Sequence, residues 1–263
     1  MKFTQPIISV VTLLPLLCVG QVHAQTDSIN DVEIIYQLPG ELEMANILTI
    51  QNCNRAHWVP LDALTTGTYV SANGKNLASG AYAIHLAVAV LRYDSVLVGT
   101  NLRALALLSE EIGKPLSPQY TRLLVPHLHP HQDSAVTALN EMLFESIEFL
   151  DENDRKSETV LRSAGALAEV LYQLSVCCKE TPLPEIQEFL IFNRYVINGL
   201  LVLFQKYPSE GVEEIINGFT ELEKILPYYT EEDVISDFTV NDFNVFSIFM
   251  LKLRSTIINC TDC

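Results

Sequence analysis

The segment from Leu77 to Leu91 constrains this chain more than any other, because its fifteen residues are apolar except for Ser79 and His85. The run is long enough for a helix of four turns and too short to cross a bilayer comfortably. A helix apolar on every side is satisfied only by neighbours on every side, so this one belongs at the centre of a bundle. Gly80, Ala83 and Ala87 fall on one side at i, i+3 and i+7, and small residues there admit a second helix at close range. Ser71 or Asn73 is placed to cap the helix, which is expected to reach about Tyr93.

The rest of the chain repeats this period, with breaks at Pro and Gly. Pro39 opens a helix to about Gln51, and a loop with Trp58, Pro60 and Gly67 follows. Ser95 begins a helix ending at Gly113, the residue a helix C-terminus prefers. Ser117-Pro118 starts a short helix to about Val125, and Asp133 caps one to about Leu150. Further helices are expected over 157–178, 184–207, 209–226 and 240–258. In the helix after Ser209, Glu213, Glu214, Glu221, Glu223 and Lys224 face water and Ile215, Ile216, Phe219, Leu222, Ile225 and Leu226 face inward. Alternating strand-like runs are almost absent. The reading is an all-α, single-domain bundle of about nine helices, with helical hairpins packed around a central apolar helix at about residues 71–93.

The first 24 residues have a different character. Met1-Lys2 is a short basic start, Ile7 to Val19 is apolar apart from Ser9, Thr12 and Pro15, and Val22-His23-Ala24 sets a processing site before Gln25. Residues 1–24 are therefore read as a signal peptide, 25–34 as a polar leader, 35–258 as one helical domain and 259–263 as a C-terminal C-x-x-C tail. Cys18 offers a lipid anchor, although Leu17 stands where a lipobox wants Gly, Ala or Ser. No transmembrane segment is expected, and the location is periplasmic or extracellular. Without the signal the chain has 15 basic against 32 acidic groups, a net of −17. That field repels phosphates, so nucleic acid is an unsuitable partner. Charge is uneven: residues 25–130 hold 9 acidic and 6 basic groups, residues 131–263 hold 23 and 9.

Cys53, Cys177, Cys178, Cys260 and Cys263 remain after export, an odd number, so at least one thiol is unpaired or paired between chains. Cys177 and Cys178 are adjacent on a helix and point about 100° apart, which disfavours a bond between them. Cys260 to Cys263 has redox or zinc-ribbon spacing, but it closes the chain rather than opening a helix and has no second pair. Its simpler reading is a frayed tail with a small disulfide.

No catalytic residue, cofactor or metal ligand is assigned from the sequence. His127, His129 and His131 lie at i, i+2, i+4 in a segment that Pro126 and Pro130 favour as extended, which would turn three imidazoles to one side, toward Zn²⁺ or Cu²⁺. The simpler reading is a polar interhelical loop, since no H-E-x-x-H accompanies them. His85, alone on an apolar helix, reads as a hydrogen-bonded core residue. Glu169, inside another apolar stretch, reads as a paired structural carboxylate, with a general acid as the competing role. Asp151-Glu152-Asn153-Asp154 lacks the glycine turn and distal glutamate of a calcium loop. It reads instead as a helix end followed by a cap at Asp154 or Ser157, with Arg155 pairing nearby. Nucleophile elbows, phosphate loops and dinucleotide fingerprints are absent.

An ordered series of short motifs carries a resemblance. Tyr36-Gln37-Leu38-Pro39, Asn76-Leu77, Leu108 to Gly113, Gln132-Asp133-Ser134, Leu150 to Arg155 and Ser163 to Tyr172 together resemble a family of exported, all-helical bacterial proteins, often lipoproteins. That family has a Leu-Lys-Glu-Asn-(Asp/Glu)-Arg junction and an Ala-Gly-Gly-Trp-x-Glu-x-Leu-Tyr helix. The likeness covers about residues 36–229. Ala166 and Leu167 replace the Gly-Trp, and Ala83 stands where the family tends to have Asp. The resemblance implies helical fold and export, and no chemistry.

Two functional readings follow. One is a non-catalytic exported helical protein that binds another protein or an envelope component. The other is a periplasmic metal-binding protein or cryptic metalloenzyme centred on His127, His129 and His131. Oligomeric state is left open. Intact-mass measurement of the protein from its native host is expected to give a chain beginning at Gln25; a diacylglyceryl mass on Cys18 would refute that processing.

Overall fold

A computed structural model describes residues 38–50, 58–61, 69–120, 132–178, 183–229 and 238–260. Eight helices with described bounds lie among them: α1 (Glu41–Ile50), α2 (Ala72–Leu91), α3 (Ser95–Glu111), α4 (Gln132–Glu152), α5 (Lys156–Cys177), α6 (Leu183–Lys206), α7 (Glu213–Ile225) and α8 (Val240–Ile258), and residues 118–120 are helical as well. No extended strand is present among the described residues. The protein is an all-α multi-helix bundle.

The apolar helix is central, as its composition requires, but it shares the centre. Every residue of α2 from Asn76 to Val90 is buried, and so is every residue of α5 from Thr159 to Ser175 except half-buried Ser163. The two helices run parallel: Asn76 meets Glu158 near their starts and His85 meets Glu169 further along. Helix α3 folds back on α2 as a hairpin, α1 and α4 lie across both central helices, α8 packs on α5 and α2, and α7 joins α8 to α6. The inner side of α6 is core, with Ile186, Leu190, Ile197, Leu200, Leu203 and Phe204 buried. By length and composition alone, Ile186–Lys206 is apolar enough to cross a membrane.

Contact between α2 and α5 is closest at two glycines. A Cβ on Gly80 would lie 1.9 Å from the Arg162 carbonyl oxygen, and one on Gly165 would lie 1.9 Å from that of Leu77. The backbones thus touch with no side chain between them. Ala83 and Ala87 are fully buried, as expected from their spacing.

Helix ends follow local chemistry. Ser71 caps α2, its hydroxyl accepting from the Gly74 amide at 2.9 Å, and Asp94 caps α3 through Leu97 at 3.2 Å. Thr239 and Asp242 form a reciprocal capping box at α8. Helices α2, α3 and α4 end alike, with Tyr93, Gly113 and Asp154 in the left-handed region at φ 56°, 84° and 58°. In each case the next amide bonds back five residues, as Arg155 does to the Leu150 carbonyl at 2.7 Å.

Three expected starts are corrected. Asp154 closes α4 in a left-handed conformation, and an N-cap requires extended backbone, so it cannot also cap α5. Ser157 lies inside α5, whose cap position is Arg155 with no side-chain capping bond. Asp133 lies in the first turn of α4 rather than ahead of it. Helix α7 starts at Glu213, not Ser209, because the chain turns through Gly211 at φ 80° before Val212 takes the cap position.

Gly165→Ala is expected to destabilise the protein by about 3 kcal/mol, because backbone must move to admit the methyl group. Gly99→Ala, on α3 with nothing within 4 Å, is expected to stabilise it by about 0.5–1 kcal/mol. Urea unfolding of the two variants measures the contrast.

Candidate functional site

The two polar residues that stood out in apolar helices, His85 on α2 and Glu169 on α5, meet in the core. His85 Nε2 lies 2.8 Å from Glu169 Oε1. An ionised carboxylate only accepts, so the imidazole donates through Nε2–H. Oε1 also accepts from Gln173 Nε2 at 2.7 Å, four residues further along α5. Arg254 on α8 completes the set, with Nε donating to Oε2 at 2.8 Å and a terminal nitrogen donating to Oε1 at 3.2 Å. Three helices thus supply the donors that occupy one carboxylate.

The loop before α2 is fastened to the same node. Gln173 bonds Val59 in both directions, donating to its carbonyl at 2.7 Å and accepting from its amide at 3.2 Å. Trp58 stands edge-on to His85 with ring centroids 4.8 Å apart. Arg92 lies 5.1 Å above the Trp58 ring, and Arg254 4.2 Å above the Tyr172 ring. Gly165, Glu169 and Tyr172 all come from the Ser163–Tyr172 motif, so that motif builds the central crossing and the node.

His85 and Glu169 are 2% and 1% exposed. Burial pushes the Glu169 carboxyl upward, but the His85 and Arg254 charges and hydrogen bonds outweigh it and hold the group at about 2. Glu169 is therefore ionised at neutral pH with both oxygens bonded, which is the paired structural carboxylate expected from the sequence. A general acid needs a transferable proton, and this group holds none near pH 7.

A second buried pair ties α1 to α5. Arg162 Nε donates to Glu41 Oε1 at 2.8 Å, and one terminal nitrogen of Arg162 is buried without a hydrogen-bond partner among the described residues. Glu41 lies at the edge of a surface cleft of about 500 Å³ between α1, the end of α2 and α4. Its walls are Leu42, Leu91, Val136, Leu143, Phe144 and Ile147, and its polar groups are Glu41, Glu43, Asn46 and Asn140. Phe144 is 49% exposed over it. None of the node side chains lines this cleft.

The other sequence candidates divide. His127, His129 and His131 lie outside the described residues, as do Cys18, Cys53 and Cys263. Among the described residues no three His, Cys, Asp or Glu side chains are grouped to hold a metal. Arg155 pairs with Glu158 at 2.5 Å, as the junction implied. Cys178 is buried, and Cys177 and Cys260 are each disulfide-bonded. Helices α5 and α8 run antiparallel, Ser247 meeting Ser175 and Arg254 meeting Glu169, and the Cys260 carbonyl abuts Gly74 at the start of α2. Cys177 and Cys260 thus occupy opposite ends of the bundle and are not each other's partners.

Fold and site together define a helical bundle with a sealed ionic core and an apolar cleft at its surface. Comparison of the chain with protein-family models, with curated proteins and with solved structures finds no match.

Glu169→Gln is expected to lower unfolding free energy by about 3–5 kcal/mol at pH 7, since it strands the Arg254 charge. Glu221→Gln, which removes an exposed pair with Lys224, is expected to stay within about 1 kcal/mol. The Glu169 contribution is complete above the ordinary value of 4.5 and is lost as pH falls toward about 2. Wild type and Glu169→Gln should therefore converge in urea titrations over that interval; a gap that widens in acid would contradict the ionised assignment.

Proposed function

We propose that this is an exported, non-catalytic binding protein whose ligand, a segment of another protein or an envelope component, seats in the cleft between α1 and α4. The observation that carries the reading is the cleft itself. It has the size and composition of a ligand site, with apolar walls and a few convergent polar groups, and it lies away from the sealed node. Exposed Phe144 is the kind of aromatic that anchors a partner. Export is supported by the signal pattern of residues 1–24 and by disulfide-bonded Cys177 and Cys260, which suit an oxidising compartment.

Nile red, a neutral apolar dye, tests the site without knowledge of the natural ligand. One dye is expected to bind per chain, and Phe144→Asp is expected to weaken binding about tenfold, roughly 1.4 kcal/mol. Phe192→Asp, on the exposed side of α6, should leave it unchanged, with circular dichroism confirming that both variants fold. Equal losses from the two substitutions would remove the cleft from consideration.

A further inference from the structure

The two helices that wall the cleft carry acidic and no basic side chains, and of their carboxylates Glu41 and Glu43 line the cleft itself. Helix α1 carries Glu41 and Glu43 and no lysine or arginine; α4 carries Glu141, Glu145, Glu148, Asp151 and Glu152 beside its cleft-lining residues and, again, no lysine or arginine. The nearby cations are already engaged: Arg162 with Glu41, Lys156 with Asp151, and Lys114 with the Glu145 carbonyl. Among the described residues no cation pairs with Glu43, Glu141 or Glu148, all of which are exposed. An apolar floor between unneutralised carboxylates selects its occupant by charge. Anionic lipid headgroups and a second copy of this acidic chain are repelled. A neutral ligand would use the floor and ignore the rims.

We infer that the occupant is a cationic amphipathic helix of a partner protein, apolar on the side that enters the cleft and rich in lysine or arginine on its flanks. The inference rests on the cleft being the binding site. Its geometry is that of a helix laid in a groove between two helices, with anchors at i, i+3, i+4 and i+7. The ten residues of α1 give a wall of about 15 Å, close to three helical turns. Val136, Leu143, Phe144 and Ile147 on α4 receive the apolar side chains. Glu43 and Glu148, the latter one turn beyond Phe144, face the flanking cations. Glu41 is buried and already paired with Arg162, so the attraction falls to exposed Glu43 and Glu148.

The test uses the whole processed chain and three helix-forming 14-residue peptides that share one leucine face and carry lysine, glutamine or glutamate elsewhere. Fluorescence anisotropy at 50 and 300 mM NaCl is expected to show one lysine peptide bound per chain, at least tenfold tighter than the glutamine peptide, with that advantage shrinking in high salt. Glu43→Lys with Glu148→Lys should weaken the lysine peptide about tenfold. Glu213→Lys with Glu214→Lys, the same charge change on α7, should not. If the glutamine peptide binds as tightly as the lysine peptide and Phe144→Asp still weakens it, the cleft stands and the cationic partner is wrong. If Phe144→Asp affects no peptide, the cleft reading itself falls. If the α7 reversal is as harmful as the cleft reversal, the attraction is general to an acidic surface and the inference is overturned.

Discussion

Where α2 crosses α5, nothing separates the two backbones. Gly80 lies under the Arg162 carbonyl and Gly165 under that of Leu77, so the axes approach as closely as peptide groups allow. Much else follows from this contact. It sets the register of the two helices, and in that register His85, five residues past Gly80, meets Glu169, four residues past Gly165. A charge buried so deeply is costly, and it persists only because His85, Gln173 and Arg254 all donate to it. The node in turn holds the Trp58–Leu61 loop and α8 against the central pair. Sliding α2 along α5 by one residue would both drive a Cβ into a carbonyl and strand the carboxylate. The crossing and the node therefore specify one arrangement jointly, whatever their net contribution to stability.

Local signals were legible in the sequence. Periodicity and caps located the helices, and α8 spans Val240–Ile258 as the pattern indicates. Local rules failed where two of them competed for one residue: Asp154 has the side chain of an N-cap, but the turn that closes α4 takes it first. The node was half legible. His85 and Glu169 each stood out as polar residues within apolar helices, and such residues must find partners when buried. Their pairing spans 84 positions, and that of Arg254 with Glu169 spans 85, distances at which no single-sequence pattern speaks. Gln173 and Trp58 carried no signal at all, because an amide near a helix end and an aromatic in a loop are ordinary. The cleft was invisible for another reason: it belongs to no segment and exists only where α1, α2 and α4 leave space between them.

The distribution of polar chemistry supports a binding role. The buried cluster of charged groups around Glu169 is sealed from solvent, while the accessible concavity is walled by aliphatic side chains and Phe144, with amides and carboxylates at its margin. Recognition in such a site depends on shape, apolar contact and the sign of the surrounding charge. The cleft is also tied to the core. Glu41 is at once a cleft residue and the partner of Arg162, whose carbonyl faces Gly80, so one wall of the cleft is anchored at the central crossing. A site fixed in this way loses little conformational freedom on binding.

The parallel pairing of α2 with α5 has a consequence for how the chain is made. The most apolar helix emerges early, yet the surface that covers it follows only after α3 and α4. Until α5 appears, α2 can bury itself only against α1, α3 and α4, and the face that α5 will cover stays bare and apolar during synthesis. Contacts this far apart in sequence form slowly, because a long loop must close before any of them is rewarded. A nascent chain thus passes through a sticky intermediate. Its yield will depend on how long that face stays uncovered as much as on the stability of the finished bundle.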